Sequence, residues 1–177
     1  TMSKETESML REKGAFIYPK FIGYPYNPYR KNLYTWQELM DGYDPEDDQS
    51  QDLKIYTHFN QQRFDADINE ALAQRIHDHA IDDALGELIG MSDDGMTEKK
   101  CVGIMGGHSV LRTDTSYTSV AILAQKLCKA GYFILTGGGP GVMEAGNLGA
   151  YFCDRTEEEL LDAIEMLKAA PSYKDKE

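Results

Sequence analysis

Five consecutive positions, Gly137-Gly138-Gly139-Pro140-Gly141, hold four glycines. A run of this kind lets the backbone turn sharply and lets a ligand approach with no Cβ in the way. If a helix starts at its end, unpaired N–H groups and the helix dipole favour an anion there, and phosphate is the chemistry this suits. The other reading is a tight turn alone. A second small-residue stretch, Gly106-Gly107-His108-Ser109, repeats the theme more weakly. Ser109 is suited to donate to a phosphate or ribose oxygen. His108 reads either as a general acid or as a contact to a base, or as neither. Two better-known phosphate devices are absent. The dinucleotide fingerprint G-x-G-x-x-G, with an acid roughly 20 residues on, does not fit either loop, and no G-K-[ST] follows the glycines.

Metal chemistry finds no comparable support. The acidic stretch 41–52 suggests calcium, but a loop starting at Asp44 puts Gln49 and Ile55 where glycine and glutamate are needed. It reads as a solvated acidic loop. His77 and His79 lie two apart in a helical pattern, so they project about 200° from one another and cannot share an ion. Both read as surface or partner-contact histidines. Cys101, Cys128 and Cys153 show no C-x-x-C spacing and are odd in number, which fits a reducing cytoplasm and not a disulfide framework.

The elements that must carry the two loops follow from periodicity. Cys101–Met105 and Tyr132–Leu135 are short apolar runs of strand character. Between them the pattern predicts a helix from Thr115 to Lys129, with Val120, Leu123, Ala124 and Leu127 on one face. A second helix is expected to start near Pro140, at its first position, and to run through Leu148. Thr156-Glu157-Glu158-Glu159 is a capping box opening a last helix that stops before Pro171. The order strand, helix, strand, helix implies a parallel pair with both loops at the strands' carboxyl ends. The fold class is therefore α/β, a Rossmann-like parallel sheet with flanking helices, incomplete at two clear strands. Further strands are expected from residues 16–22 and 53–57, or from a partner.

Upstream, residues 1–96 read as an N-terminal extension, and 97–177 as the nucleotide-phosphate binding half-domain. The extension contains an arm at 16–36, where Phe16, Tyr18, Phe21, Tyr24, Tyr26, Tyr29, Tyr34 and Trp36 interleave with Pro19, Pro25 and Pro28. Proline keeps such a stretch extended or turning. Its rings either pack on the core or on a second subunit, or they form a lid over a nucleobase. A helix is expected over 65–89 with Gly90 as its stop, followed by a polar linker at 91–99.

The bulk numbers bound the partners. The chain has 177 residues and a formal net charge of −12. Such a surface repels nucleic acid and anionic membrane, while leaving room for a small anion held by local N–H groups. No apolar run reaches the roughly 18 residues needed to cross a bilayer. The N-terminus shows no signal peptide, and Thr1-Met2 reads as a tag remnant before a native start. A cytoplasmic protein without membrane or nucleic-acid partners is expected.

The stretch Thr136-Gly-Gly-Gly-Pro-Gly-Val-Met-Glu-Ala-Gly-Asn-Leu-Gly-Ala150 resembles the T-G-G-G-x-G-[IVL]-M-x-A-x-N-x-G-A motif of the LOG, or lysine decarboxylase-like, Rossmann family. The V-G-I-M-G-G run sits where that family has its first strand and loop. The resemblance covers about residues 100–151 and implies a nucleoside 5′-monophosphate phosphoribohydrolase, cleaving an AMP-like nucleotide to base and ribose 5-phosphate. It implies no cofactor, and often a dimer. Carried over, Gly137, Gly138, Gly139 and Gly141 would hold the phosphate, with Gly107 and Ser109 on the neighbouring rim. Glu144 falls in the motif too, though its place in the first helical turn is also explained by the helix dipole.

The family's second signature, P-G-G-x-G-T-x-x-E, is absent, so no catalytic residue is assigned. Cleavage of a glycosidic bond needs a carboxylate to support oxocarbenium character or to activate water. The chain thus reads as the N-terminal part of a longer enzyme that is not a self-sufficient catalyst. The alternatives are a nucleotide-sensing module without turnover and a structural domain. A homo-oligomer, with a dimer first, is expected from the apolar surface of the arm and the 65–89 helix and from the open strand edges.

Overall fold

In a computed structural model that describes residues 2–15, 17 and 21–175, the chain divides into two units between Leu85 and Gly86. The first contains α1 (Lys4–Glu12), α2 (Trp36–Leu39), α3 (Gln51–Gln62) and most of α4 (Ile68–Ile89). The second contains the end of α4, then β1 (Lys100–Ile104), α5 (Thr115–Lys129), β2 (Tyr132–Thr136), α6 (Val142–Tyr151) and α7 (Glu157–Leu167). Among the described residues no helix is long and apolar enough to cross a membrane.

The first unit is organised around one carboxylate. Glu70, in the first turn of α4, is buried at 4 % exposure. Its Oε1 accepts from the Tyr26 hydroxyl at 3.0 Å and from Gln74 Nε2 at 2.8 Å, and its Oε2 accepts from His58 Nε2 at 3.0 Å. A buried carboxylate is stable only when its lone pairs are met in this way. The rings of the arm gather on the same place. Tyr24 and Tyr26 pack edge-on to His58, and Tyr26 lies 5.0 Å from the His77 ring. The Tyr34 hydroxyl and His77 Nε2 are hydrogen-bonded at 3.0 Å. So His77 is not a surface histidine: it is half-buried beneath the arm of its own chain. His79 is exposed, with Asp83 one turn on. Phe16, Tyr18 and Pro19 of the arm lie outside the described residues.

Residues 53–57 form no strand. They lie inside α3, capped by Ser50, whose hydroxyl accepts from Leu53 N at 3.2 Å. The described residues of 16–22 carry no strand either. The acidic stretch is spent on turns: Asp44 Oδ1 accepts from Glu46 N, and Asp48 Oδ1 from Ser50 N, both at 2.8 Å. Short Asp side chains favour such turns over any longer reach.

The second unit is an α/β layer pair with a two-stranded parallel sheet. Lys100 pairs with Tyr132, Val102 with Ile134 and Ile104 with Thr136. Helices α5 and α6 pack on each other and on β2, and α7 packs on α5. Tyr117, Ala121, Ala145, Leu160 and Ile164 form the buried core. Burying Leu160 and Ile164 contributes about 1.5–3 kcal/mol each. The helices approach closely because small residues line the crossing. A Cβ on Gly149 would lie 2.0 Å from the Ala121 carbonyl oxygen, which belongs to rigid helix backbone. Gln125 is buried beside this core, and its Nε2 donates to the carbonyls of Phe152, Arg155 and Thr156. Helix α7 opens on the Thr156–Glu159 capping box.

Candidate functional site

Because β1 and β2 are parallel, the loops leaving them emerge at the same end. The Gly107 carbonyl joins them: it accepts from Val110 N at 3.1 Å within its own loop and from Val142 N at 3.3 Å at the start of α6. This junction is closed to side chains on both sides. Gly141 has φ +72° and a Cβ there would lie 2.1 Å from the Gly107 oxygen; Gly107 has φ +66° and its Cβ would lie 2.3 Å from Val142 Cγ2. Both positions therefore require glycine. Gly138 N donates to Thr136 Oγ1 at 3.1 Å, and Asn147 Nδ2 donates to the same hydroxyl at 3.0 Å, which fixes the loop's entry. The His108 ring lies beside Gly139.

Pro140 does not occupy the first helical position. Gly141 is the N-cap of α6 and Val142 the first helical residue, so the proline sits one place before the cap. The consequence is chemical. Ser3, Thr35, Ser50 and Thr156 cap α1, α2, α3 and α7 with their side chains, and Asp67 Oδ1 accepts from Asn69 N and Glu70 N at the start of α4. The two helices that follow the small-residue loops lack such a cap. Asp114 of α5 accepts from Leu111 N instead, and Gly141 of α6 has no side chain to offer. The first turn of α6 therefore starts without a side-chain acceptor for its amides, apart from the Gly107 carbonyl that takes Val142 N.

A pocket of about 300 Å³ opens between the first loop, the start of α6 and the C-terminal segment. Ser109 and Gly141 line it together with His108. Gly107 stands behind it in the junction, and Gly137, Gly138 and Gly139 do not line it. Gly137 is close to the Met105 and Met143 side chains. A wider hollow of about 630 Å³ in the first unit is walled by Tyr24, Tyr26 and Tyr34 with Arg30 and Glu38, and contains no glycine-rich loop.

The pocket wall also carries Arg112 and Glu144, backed by the buried Tyr117, a cluster that no local pattern announced. Glu144 Oε1 accepts from Arg112 Nε at 2.7 Å and from the Tyr117 hydroxyl at 3.0 Å. Burial, and then the Glu144 charge, push the Tyr117 hydroxyl well above the ordinary tyrosine range, so it stays a donor. Arg112 also ties down the C-terminal segment: its Nη1 donates to the Ala170 carbonyl at 2.8 Å and its backbone N to the Pro171 carbonyl at 2.9 Å. Glu144 could be picked out from its motif. Arg112 and Tyr117 lie 32 and 27 positions away from it in sequence, beyond the reach of any spacing rule. Among the described residues no group of three or more His, Cys, Asp or Glu is arranged to hold a metal ion.

Residues 99–154, the stretch that carries β1, both loops, α5, β2 and α6, match the model of the SLOG cluster4 family. That is about a third of the chain. No curated protein and no solved structure matches it.

Proposed function

We propose that the second unit binds a nucleoside monophosphate, or a similar small phosphorylated ligand, at its paired glycine loops. In this reading the unit is Rossmann-like and of LOG type, within the SLOG likeness of residues 99–154, which itself points broadly to a nucleotide-related role. The observation that carries the proposal is the junction at the Gly107 carbonyl. It brings the start of α6, with no side-chain cap, to the mouth of a pocket at the carboxyl end of a parallel strand pair. Such ends bind anions through backbone N–H groups and the helix dipole. Gly141 then faces the phosphate in the pocket with Ser109 on the rim, Gly107 stands behind it in the junction, and Gly137, Gly138 and Gly139 shape the loop that delivers the start of α6.

The reaction this points to is N-glycosidic cleavage of the nucleotide, with the carboxylate of a P-G-G-x-G-T-x-x-E loop supplied from outside these residues. Binding without turnover is the second reading. It is favoured by the charge of Glu144, at the start of α6, being offset by Arg112 and Tyr117 on Oε1, which weakens it as a base toward water. A homodimer in the cytoplasm, with no redox cofactor, completes the proposal.

Titration calorimetry of the intact chain with AMP and with adenosine tests the phosphate anchor. AMP is expected to bind at least about tenfold more tightly, a difference of ~1.4 kcal/mol. Equal affinity would sink the phosphate reading. Chromatographic assay for free base then separates cleavage from binding alone.

A further inference from the structure

Glu144 sits three residues after its N-cap, the position from which a glutamate normally reaches back to the cap's own N–H. Glu38 and Glu159 occupy that position in α2 and α7, and both do reach back. Glu144 does not. Its carboxylate is turned toward the Arg112 guanidinium and the Tyr117 hydroxyl, and its side chain keeps 27 % exposure at the pocket wall. A carboxylate there is awkward for a helix start that is to receive a phosphate, because the two repel. Arg112 offsets that charge and holds the side chain in a fixed place.

The ion pair is only half closed. The Nε–Nη2 edge of a guanidinium ordinarily grips both oxygens of a carboxylate. Here Nε meets Oε1, and Nη1 is committed to the Ala170 carbonyl. Among the described residues Oε2 of Glu144 enters no hydrogen bond, and the Arg112 guanidinium also lies beside the Tyr117 hydroxyl that shares Oε1. Arg112 and Glu144 both line the pocket, so its wall carries a strong acceptor, Glu144 Oε2, beside the cationic Arg112 guanidinium. A phosphate oxygen suits only the donor and is repelled by the acceptor. A hydroxyl group suits both, since it donates one bond and accepts others.

We propose that Arg112 and Glu144 form a hydroxyl-reading subsite that takes the vicinal hydroxyls of a phosphorylated ribose. The proposal rests on the phosphate reading of the glycine loops and adds the sugar to it. Tyr117 is a positioning residue: its hydroxyl holds Glu144 Oε1, leaving Oε2 for the ligand. The ligand class narrows accordingly, from any small phosphate ester to a ribonucleotide or ribose phosphate with its diol free.

Calorimetry of the intact chain with AMP, 2′-deoxy-AMP and 2′,3′-dideoxy-AMP decides it. Losing hydroxyls that pair with charged groups should weaken binding stepwise, by at least about tenfold for the dideoxy compound. Glu144→Gln, with its fold checked by circular dichroism, should bind AMP more weakly and the dideoxy compound about as before, removing the discrimination. If the dideoxy compound binds the wild-type chain within about twofold of AMP, the subsite is wrong while the phosphate reading stands. If E144Q still discriminates tenfold, the assignment to Glu144 is wrong. If AMP does not bind at all, both readings fall. Should E144Q not fold, the three-nucleotide series on the wild-type chain decides between the subsite and its absence.

Discussion

The two units solve the burial problem in opposite ways. Around Glu70, the first unit is held by side-chain reach: hydroxyl, imidazole and amide donors converge on one carboxylate while tyrosine rings stack about it. In the second unit cohesion comes from closeness of backbone, with Gly149 against the Ala121 carbonyl and alanines at the helix crossing. A core of the first kind depends on particular polar atoms meeting at one place. A core of the second kind depends on the absence of atoms. The proposed site belongs to the second kind, where a missing Cβ at Gly107 and Gly141 lets two loops share one carbonyl.

Three substitutions would break or sharpen this contrast. The largest effect is expected for Gly149→Ala, which drives a methyl into the backbone of α5. We expect a loss of about 3 kcal/mol or more in denaturant unfolding, with amide exchange protection falling in residues 86–175. A loss below about 1 kcal/mol would show that the crossing is not limited by backbone contact. Next comes Glu70→Ala, which leaves Tyr26, Gln74 and His58 without their acceptor. About 2 kcal/mol should be lost, read as lowered protection in residues 21–85. An unchanged exchange pattern there would mean that stacking alone suffices.

The smallest effect is expected for Thr156→Ala, at about 1 kcal/mol in the same unfolding assay. The Thr156 backbone and side-chain donors hold the Glu159 carboxyl below its ordinary range. Its folded pKa is depressed, so the cap contributes above the ordinary glutamate pKa and fades as the pH falls through the lowered one. Acid should therefore shrink the difference between wild type and T156A. A difference that stays constant into acid would show that the bond from the Thr156 hydroxyl to the Glu159 carboxylate adds nothing to the cap.

Much of the second unit is legible in the sequence because its signals are local. Thr115–Lys129 follows from apolar periodicity, and the glycines and the capping box mark the ends of their elements. Helix α6 starts two residues later than its proline suggests, because Gly141, in a left-handed conformation, takes the cap and leaves Pro140 outside. Helix α3 escapes the pattern because Leu53-Lys-Ile-Tyr-Thr57 alternates like a strand, and Ser50, its cap, is hidden among acidic turn residues. Helix α2 is only one turn long, though its Thr35-x-x-Glu38 box is readable. What no pattern could supply is the Glu144 and Glu70 clusters, whose partners are up to 44 positions apart. Contacts of that kind exist only once the chain has folded.

The register of the sheet has a kinetic consequence. Each residue of β1 pairs with one 32 positions later, from Lys100 with Tyr132 to Ile104 with Thr136. Closing so long a segment costs chain entropy before any strand hydrogen bond forms, and non-local pairing of this sort slows folding. Helix α5 shortens the search, since its 15 residues become a rod about 22 Å long. The expected order of events is helix first, strands second, and last the meeting of Gly107 with Val142. On that order the proposed ligand surface would form last, and a nucleotide bound there would mainly slow unfolding and leave the folding rate nearly unchanged.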